Sequence, residues 1–208
     1  DLADGTMNYT LRDLVLGFIA DRTVTAEQFA AGMNELTDRV PAGYRPGMLN
    51  LLGSHDTERV VTRHGGDLAA ATLSYTLLLT AEGAPMIYYG DEVGLEGDND
   101  PGCRGTMPWD ETQWSTDLLD ELRGLIALRT STDALRRGTQ RVSVVGPDVV
   151  AVTRTLEDQV VTIVVNRGAA PVEVAGPARI LHGTATPLAD GGLRVPPTAM
   201  VIAEGRLA

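Results

Sequence analysis

The sequence predicts an α/β region with a parallel sheet, followed by an antiparallel β-sandwich. Three observations predict it. Up to about Arg137, short apolar runs alternate with segments of helical periodicity, the order that sets strands side by side and parallel. Two consecutive apolar runs, Met48–Leu52 and Pro85–Tyr89, pass straight into ionisable residues. After Gly138, β-branched stretches follow one another at short intervals, separated by Gly, Pro and Asp turns.

The elements follow in order. Thr6–Tyr9 reads as a short strand, and Leu11, Leu14, Val15, Phe18 and Ile19 then recur at helical spacing. A second helix starts at Thr25, whose hydroxyl can cap Gln28 in a capping box, and stops before Pro41; Phe29, Met33 and Leu36 form its apolar face. Met48–Leu52, bounded by Pro46-Gly47 and Gly53, has the length and punctuation of a buried strand. A helix over 67–82 carries Leu68, Ala71, Leu73, Leu77 and Leu78 and is ended by Gly83. Pro85–Tyr89 is the next buried strand, and a long Gly-, Asp- and Pro-rich loop runs from Gly90 to Trp109, the kind of connection that carries function. From about Ser115 a helix buries Leu118, Leu119, Leu122, Leu125, Ile126 and Leu128. The sandwich strands are read at Val142–Val145, Val149–Thr155, Val160–Val165, Val172–Val174 and Met200–Ala203. The domain boundary is placed near Arg137, giving regions 1–137 and 138–208.

Composition narrows the function. The 208 residues are 43% hydrophobic and 22% charged, with no apolar run long enough to cross a bilayer, so no membrane association is expected. The net charge of −11 repels phosphate backbones, so no nucleic acid partner is expected. All 17 basic residues are Arg, which excludes a phosphate loop of the G-x-x-x-x-G-K type and a Schiff-base lysine. Cys103 stands alone and cannot form an internal disulfide; a cytoplasmic setting is expected, with secretion left open. No leader segment is visible.

Parallel strands deliver their C-terminal ends to one face, where loops vary while the sheet stays packed. Ser54-His55-Asp56 and Asp91-Glu92 lie at two such ends. A serine triad is excluded there, because adjacent strand residues point to opposite sides and no G-x-S-x-G elbow exists. Asp98-Asn99-Asp100 fails the EF-hand pattern, whose fifth ligand position falls on Gly102 and whose required glycine falls on Cys103; it reads as a solvated acidic loop, and no metal or other cofactor is expected. Asp91 and Glu92 either cap the loop or pair with arginines, and Cys103 is most simply a packed thiol. Tyr88, Tyr89 and Trp109 are candidates for stacking on sugars or for core packing. His64 and His182 fall in no usable pattern.

Leu51-Leu52-Gly53-Ser54-His55-Asp56-Thr57-Glu58-Arg59 is similar to the histidine-aspartate segment that ends barrel strand seven in the α-amylase family, in the form used by its cyclomaltodextrinase, neopullulanase and maltogenic amylase branch. Gly83–Glu92 resembles the eighth strand, Asn99–Arg104 with Met107–Asp110 resembles the loop after it, and Met7-Asn8-Tyr9 resembles the sixth. The resemblance implies a fold: the last three βα units of a TIM (β/α)8 barrel followed by an antiparallel β-sandwich domain. It also implies roles. Asp56 stabilises a positively charged transition state and binds sugar hydroxyls, His55 donates to the same sugar, and Asp100 and Arg104 hold the next sugar on the non-reducing side. Such a transition state gains from a nearby anion and from hydrogen bonds that tighten as charge develops. Ser54 stands where many amylases have Asn, which points to small oligosaccharides over raw starch.

Retaining hydrolysis needs two carboxyl groups about 5 Å apart. The family draws them from strands four and five, which this sequence does not contain. Three strands cannot close a barrel, so a companion is expected: the N-terminal part of a cleaved or split enzyme, or a further segment of the same polypeptide. The expected ligand is an α-1,4-glucan oligosaccharide such as a cyclodextrin, a maltodextrin or pullulan. A transglycosylase or trehalose-forming isomerase of the same family, and a noncatalytic carbohydrate-binding module, are the alternatives.

Overall fold

The computed structural model describes residues 5–176 and 178–207. Its first layer is a three-stranded parallel sheet of very short strands, β1 (Met7–Asn8), β2 (Leu49–Asn50) and β3 (Ala84–Pro85), in the order β1-β2-β3. Leu49 lies between Met7 and Ala84, and Asn50 between Asn8 and Pro85. The strands are shorter than the apolar runs predict. Tyr9 already belongs to helix α1 (Tyr9–Ile19), because the Asn8 side chain caps it by accepting from the Leu11 amide. Beyond Pro85, β3 is an edge strand among the described residues, and the Met86 amide, donating to Asn50 O, is its last rung.

Helix α2 (Ala26–Arg39) opens with the expected capping box: Thr25 Oγ1 accepts from the Gln28 amide, and Gln28 Oε1 accepts from the Thr25 amide. A single turn, α3 (Val60–Arg63), and helix α4 (Leu68–Thr80) follow β2. Asp67 caps α4, which is buried on nearly every side from Leu73 onward. It stops short of Glu82. Arg129 donates to the carbonyls of Leu79, Ala81 and Gly83, and Arg154 to that of Thr80, so the terminal carbonyls are satisfied without another helical turn.

Helix α5 (Thr116–Ser131) buries Leu118, Leu122 and Leu125 as its spacing predicts. Ile126, expected on that side, is instead exposed; it lies beside Ile87 on the uncovered flank of β3. A short helix, α6 (Asp133–Arg137), leads to Gly138.

The second layer is a five-stranded antiparallel sheet. Strands β4 (Thr139–Gly146), β5 (Val149–Leu156) and β6 (Gln159–Asn166) form a meander. Next come β7 (Val172–Val174), β8 (Arg179–Gly183), β9 (Thr186–Pro187), β10 (Leu193–Val195) and β11 (Ala199–Glu204). The large sheet runs β4-β5-β6-β11-β8, and the small one β7-β10-β9. Alternation along the strands divides the core in two. Val150, Val152, Val161, Ile163, Val165 and Ile202 face the helices, while Ala151, Val164, Val201 and Ala203 face Val174, Leu193 and Val195 of the small sheet. The antiparallel sandwich is therefore present, and its large sheet is covered on both faces. Asn34 of α2 acts as a stub of a neighbouring strand along β4: its side chain accepts from the Val142 amide (2.9 Å) and donates to the Val142 carbonyl (2.8 Å).

Candidate active site

Because β2 and β3 are parallel, the segments that follow them leave the sheet at the same end. Ser54, His55 and Asp56 form a turn rather than a strand, which corrects the premise used against a serine triad. The triad is still not formed: the buried Ser54 hydroxyl accepts from the Asp56 amide (3.2 Å) and lies 3.4 Å from Thr57 Oγ1. The turn is tightened by the Ser54 amide donating to Thr57 Oγ1 (3.0 Å), which leaves the His55 and Asp56 side chains projecting into solvent, about 60% exposed.

The loop after β3 returns to the same place. Arg104 Nε donates to the His55 carbonyl (2.9 Å), and Arg104 Nη2 lies 3.3 Å from Asp56 Oδ1. Its Nε is also 3.1 Å from Asp100 Oδ1, and His55 Nε2 is 3.2 Å from Asp56 Oδ2. All four candidate residues, His55, Asp56, Asp100 and Arg104, thus form one cluster, although 48 residues separate Asp56 from Arg104. Cys103 is a packed thiol, buried, and donates to the same His55 carbonyl (3.1 Å). Exposed ion pairs of this kind add little to stability. What the arrangement offers is an open set of hydrogen-bond acceptors and donors at one end of the sheet. Among the described residues, no cluster of His, Cys, Asp or Glu could hold a metal ion, and no helix is long and apolar enough to cross a membrane.

Comparison with known proteins gives this cluster a context. Residues 1–141 match the family model described as the α-amylase catalytic domain. The chain belongs to the α-amylase family. Residues 137–202 of this α-amylase-family chain match a second model, described only as a domain of unknown function, DUF3459. A cyclomaltodextrinase from Geobacillus thermopakistaniensis is 37% identical over 179 residues, covering 85% of the chain and 30% of the relative. Neopullulanase 2 from Thermoactinomyces vulgaris is 38% identical over 168 residues, covering 80% and 29%. The solved cyclic α-maltosyl-(1→6)-maltose hydrolase of Arthrobacter globiformis, in complex with that sugar, superposes with a TM-score of 0.86 at 48% identity, over 97% of this chain and 45% of its own. The chain therefore spans under a third of these curated relatives and under half of the solved enzyme.

Beneath the cluster lies a group that sequence reasoning leaves undecided. Asp91 is buried and pairs with the fully buried Arg59, Nη1 to Oδ1 at 3.1 Å. Burial pushes the Asp91 carboxyl up to about 7, against the pull of the Arg59 guanidinium. Arg59 lies against the rings of Tyr88 (4.4 Å) and Tyr89 (4.7 Å), and donates to the Tyr89 carbonyl. Tyr88 and Tyr89 therefore hold a buried arginine, although the Tyr89 ring also reaches solvent at 43% exposure. Trp109 is more open still, 81% exposed. Asn8 and Asn50, also unread as polar links, join β1 to β2 by a buried hydrogen bond of 2.8 Å, and Asn50 goes on to the Glu82 carbonyl. His64 is structural, fixed between the Val60 carbonyl and Ser74 Oγ, and burial lowers its pKa. His182 lies 2.7 Å from Glu121 of α5.

Proposed function

We propose that this chain forms one side of the sugar cleft of a retaining α-glucan hydrolase that acts on α-1,4 bonds of cyclodextrins, maltodextrins or pullulan. The observation that carries the reading is the convergence of two strand-end loops on one spot, with Arg104 between Asp56 and Asp100. In this reading Asp56 accepts hydrogen bonds from the hydroxyls of the sugar under attack, and its charge favours the oxocarbenium-like transition state; His55 donates to the same ring. Asp100 and Arg104 hold the next sugar on the non-reducing side. The nucleophile and the general acid come from a polypeptide segment that supplies the remaining barrel strands. The three-stranded sheet, with both edges unpaired among the described residues, is consistent with such a neighbour.

The test is Asp56→Asn in the complete enzyme. Turnover of maltotriose is expected to fall about a hundredfold or more, the scale of losing a principal charge-stabilising group. Unchanged turnover overturns the reading and favours a noncatalytic module. Product separation from the unmodified enzyme decides the reaction type: glucose and maltose mean hydrolysis, and sugars longer than maltotriose mean transfer.

A further inference from the structure

From the packing beneath the cluster we infer that the buried Arg59–Asp91 pair is a positioning device that fixes the two sugar-binding loops against each other. The inference rests on the functional reading above. Arg59 follows the His55-Asp56 turn by three residues, and Asp91 opens the loop that carries Asp100 and Arg104. The pair thus joins the bases of both loops.

Each surrounding contact reinforces that link. The Arg59 amide donates to Gly97 O (2.9 Å), and the Gly97 amide donates to Thr62 Oγ1 (2.8 Å), so the long loop is stitched midway to the segment after the turn. The Tyr89 hydroxyl donates to the carbonyl of Gly105, next to Arg104 (2.9 Å). Tyr89 is itself held by Arg59 through its ring and its carbonyl. One glycine makes room for the pair: a Cβ at Gly53 would collide with Asp91 Oδ2. A Cβ at Gly97 would collide first with the Gly102 carbonyl, so that glycine lets the long loop close on itself beside Arg59. Gly90 takes φ +84° to start the short helical turn Asp91–Val93. Among the described residues, Arg59 Nε and Nη2 and Asp91 Oδ2 have no hydrogen-bond partner, so the pair is not an optimised stabilising network. A buried pair with unpaired atoms adds little net stability relative to apolar residues of similar volume. Its contribution is geometric: the guanidinium is a rigid plane pinned between two rings, a carboxylate and a carbonyl.

The experiment uses the complete enzyme. Asp91→Asn and Gly53→Ala disturb the pair from two directions, and the double variant Arg59→Met/Asp91→Leu removes both charges while keeping volume. Arg154→Met, which removes a buried arginine hydrogen-bonded to the Thr80 and Gly138 carbonyls and to neither loop, is the control. Kinetics with maltotriose are measured well below each variant's melting temperature. Any of the three pair variants that folds is expected to lose tenfold or more in kcat/KM, while Arg154→Met stays within twofold of the unmodified enzyme whatever its melting temperature. The double variant is decisive because it restores packing without the anchor: wild-type kinetics in that folded protein overturn the inference. Amide hydrogen exchange across 97–105, followed by mass spectrometry, gives a readout free of activity. Exchange at least tenfold faster in a folded pair variant supports the anchor, and unchanged exchange overturns it. If the unmodified enzyme leaves maltotriose, cyclodextrin and pullulan all intact, the α-glucan reading falls, and hydrogen exchange alone judges the pair.

Discussion

Asn34 gives a direct measure of how α2 secures the sandwich. Strand β4 is an edge of the large sheet, and edge strands present unpaired amides and carbonyls that invite fraying and intermolecular pairing. At Val142 both backbone groups are taken by one side chain, at 2.9 and 2.8 Å. Asn34→Ala removes two hydrogen bonds and leaves both Val142 groups to find water beside a buried side chain. Two neutral bonds at about 1 kcal/mol each amount to about 2 kcal/mol, rising toward about 4 kcal/mol where the freed groups stay dry. For a protein of this size, about 2 kcal/mol corresponds to a melting temperature lower by about 4–8 °C. Thermal unfolding followed by circular dichroism reads that shift. Hydrogen exchange at the Val142 amide should accelerate about thirtyfold, the same free energy expressed as an opening constant. A melting temperature within about 1 °C of the original, or an unchanged Val142 amide, would refute the account of Asn34 as an edge cap.

Other perturbations test other parts of the structure. Asp91 keeps its proton to about pH 7 in the folded chain against an ordinary value of 3.8, so the folded state binds more protons between those limits. Its contribution to stability is therefore lost progressively as pH rises from about 4 to about 7. Urea unfolding of the original protein and of Asp91→Asn over that range should show the difference between the two changing in that direction; subtraction cancels His64, which acts in the opposite sense, and a pH-independent difference refutes the assignment. Phe29→Ala empties a fully buried site stacked on Phe18 at 4.9 Å and should cost about 3–5 kcal/mol by urea unfolding; a loss below about 1 kcal/mol would show that the core collapses around it. Arg129→Lys keeps a cation but cannot span the carbonyls of Leu79, Ala81 and Gly83, so thermal unfolding should move down by at least about 4 °C; an unchanged transition would mean that net charge alone suffices.

Local devices are legible in the sequence, and devices that depend on a neighbour are not. The Thr25–Gln28 capping box lies within four residues and forms as its spacing predicts. Apolar runs overstate strand length because a ladder ends where its neighbour diverges, and the run Pro85–Tyr89 carries no record of that. The four sugar-site candidates come from the resemblance of two separate motifs; no periodicity links position 56 to position 104. Arg59 belongs to one of those motifs, yet its pairing with Asp91 depends on two strands lying side by side, which spacing alone cannot express.

Arg154 shows why patterning fails at the arginines in particular. Along β5 it falls on the face of Val150 and Val152, so alternation assigns it to the core, where an unpaired cation is prohibitive. It is admitted because the end of α4 and the start of β4 bring the carbonyls of Thr80 and Gly138 to the same spot, and burial lowers its pKa to about 10 without discharging it at neutral pH. The same solution recurs elsewhere: Arg129 at the end of α4, Arg167 on the carbonyls of Phe18 and Val24, Arg12 on that of Leu52, and Arg104 on that of His55. A guanidinium holds several carbonyls in one plane and is more weakly hydrated than an ammonium. In a chain without lysine, arginine therefore serves as a cross-link between backbone segments as well as a surface charge, and the contact at His55 carries that use to the candidate sugar site.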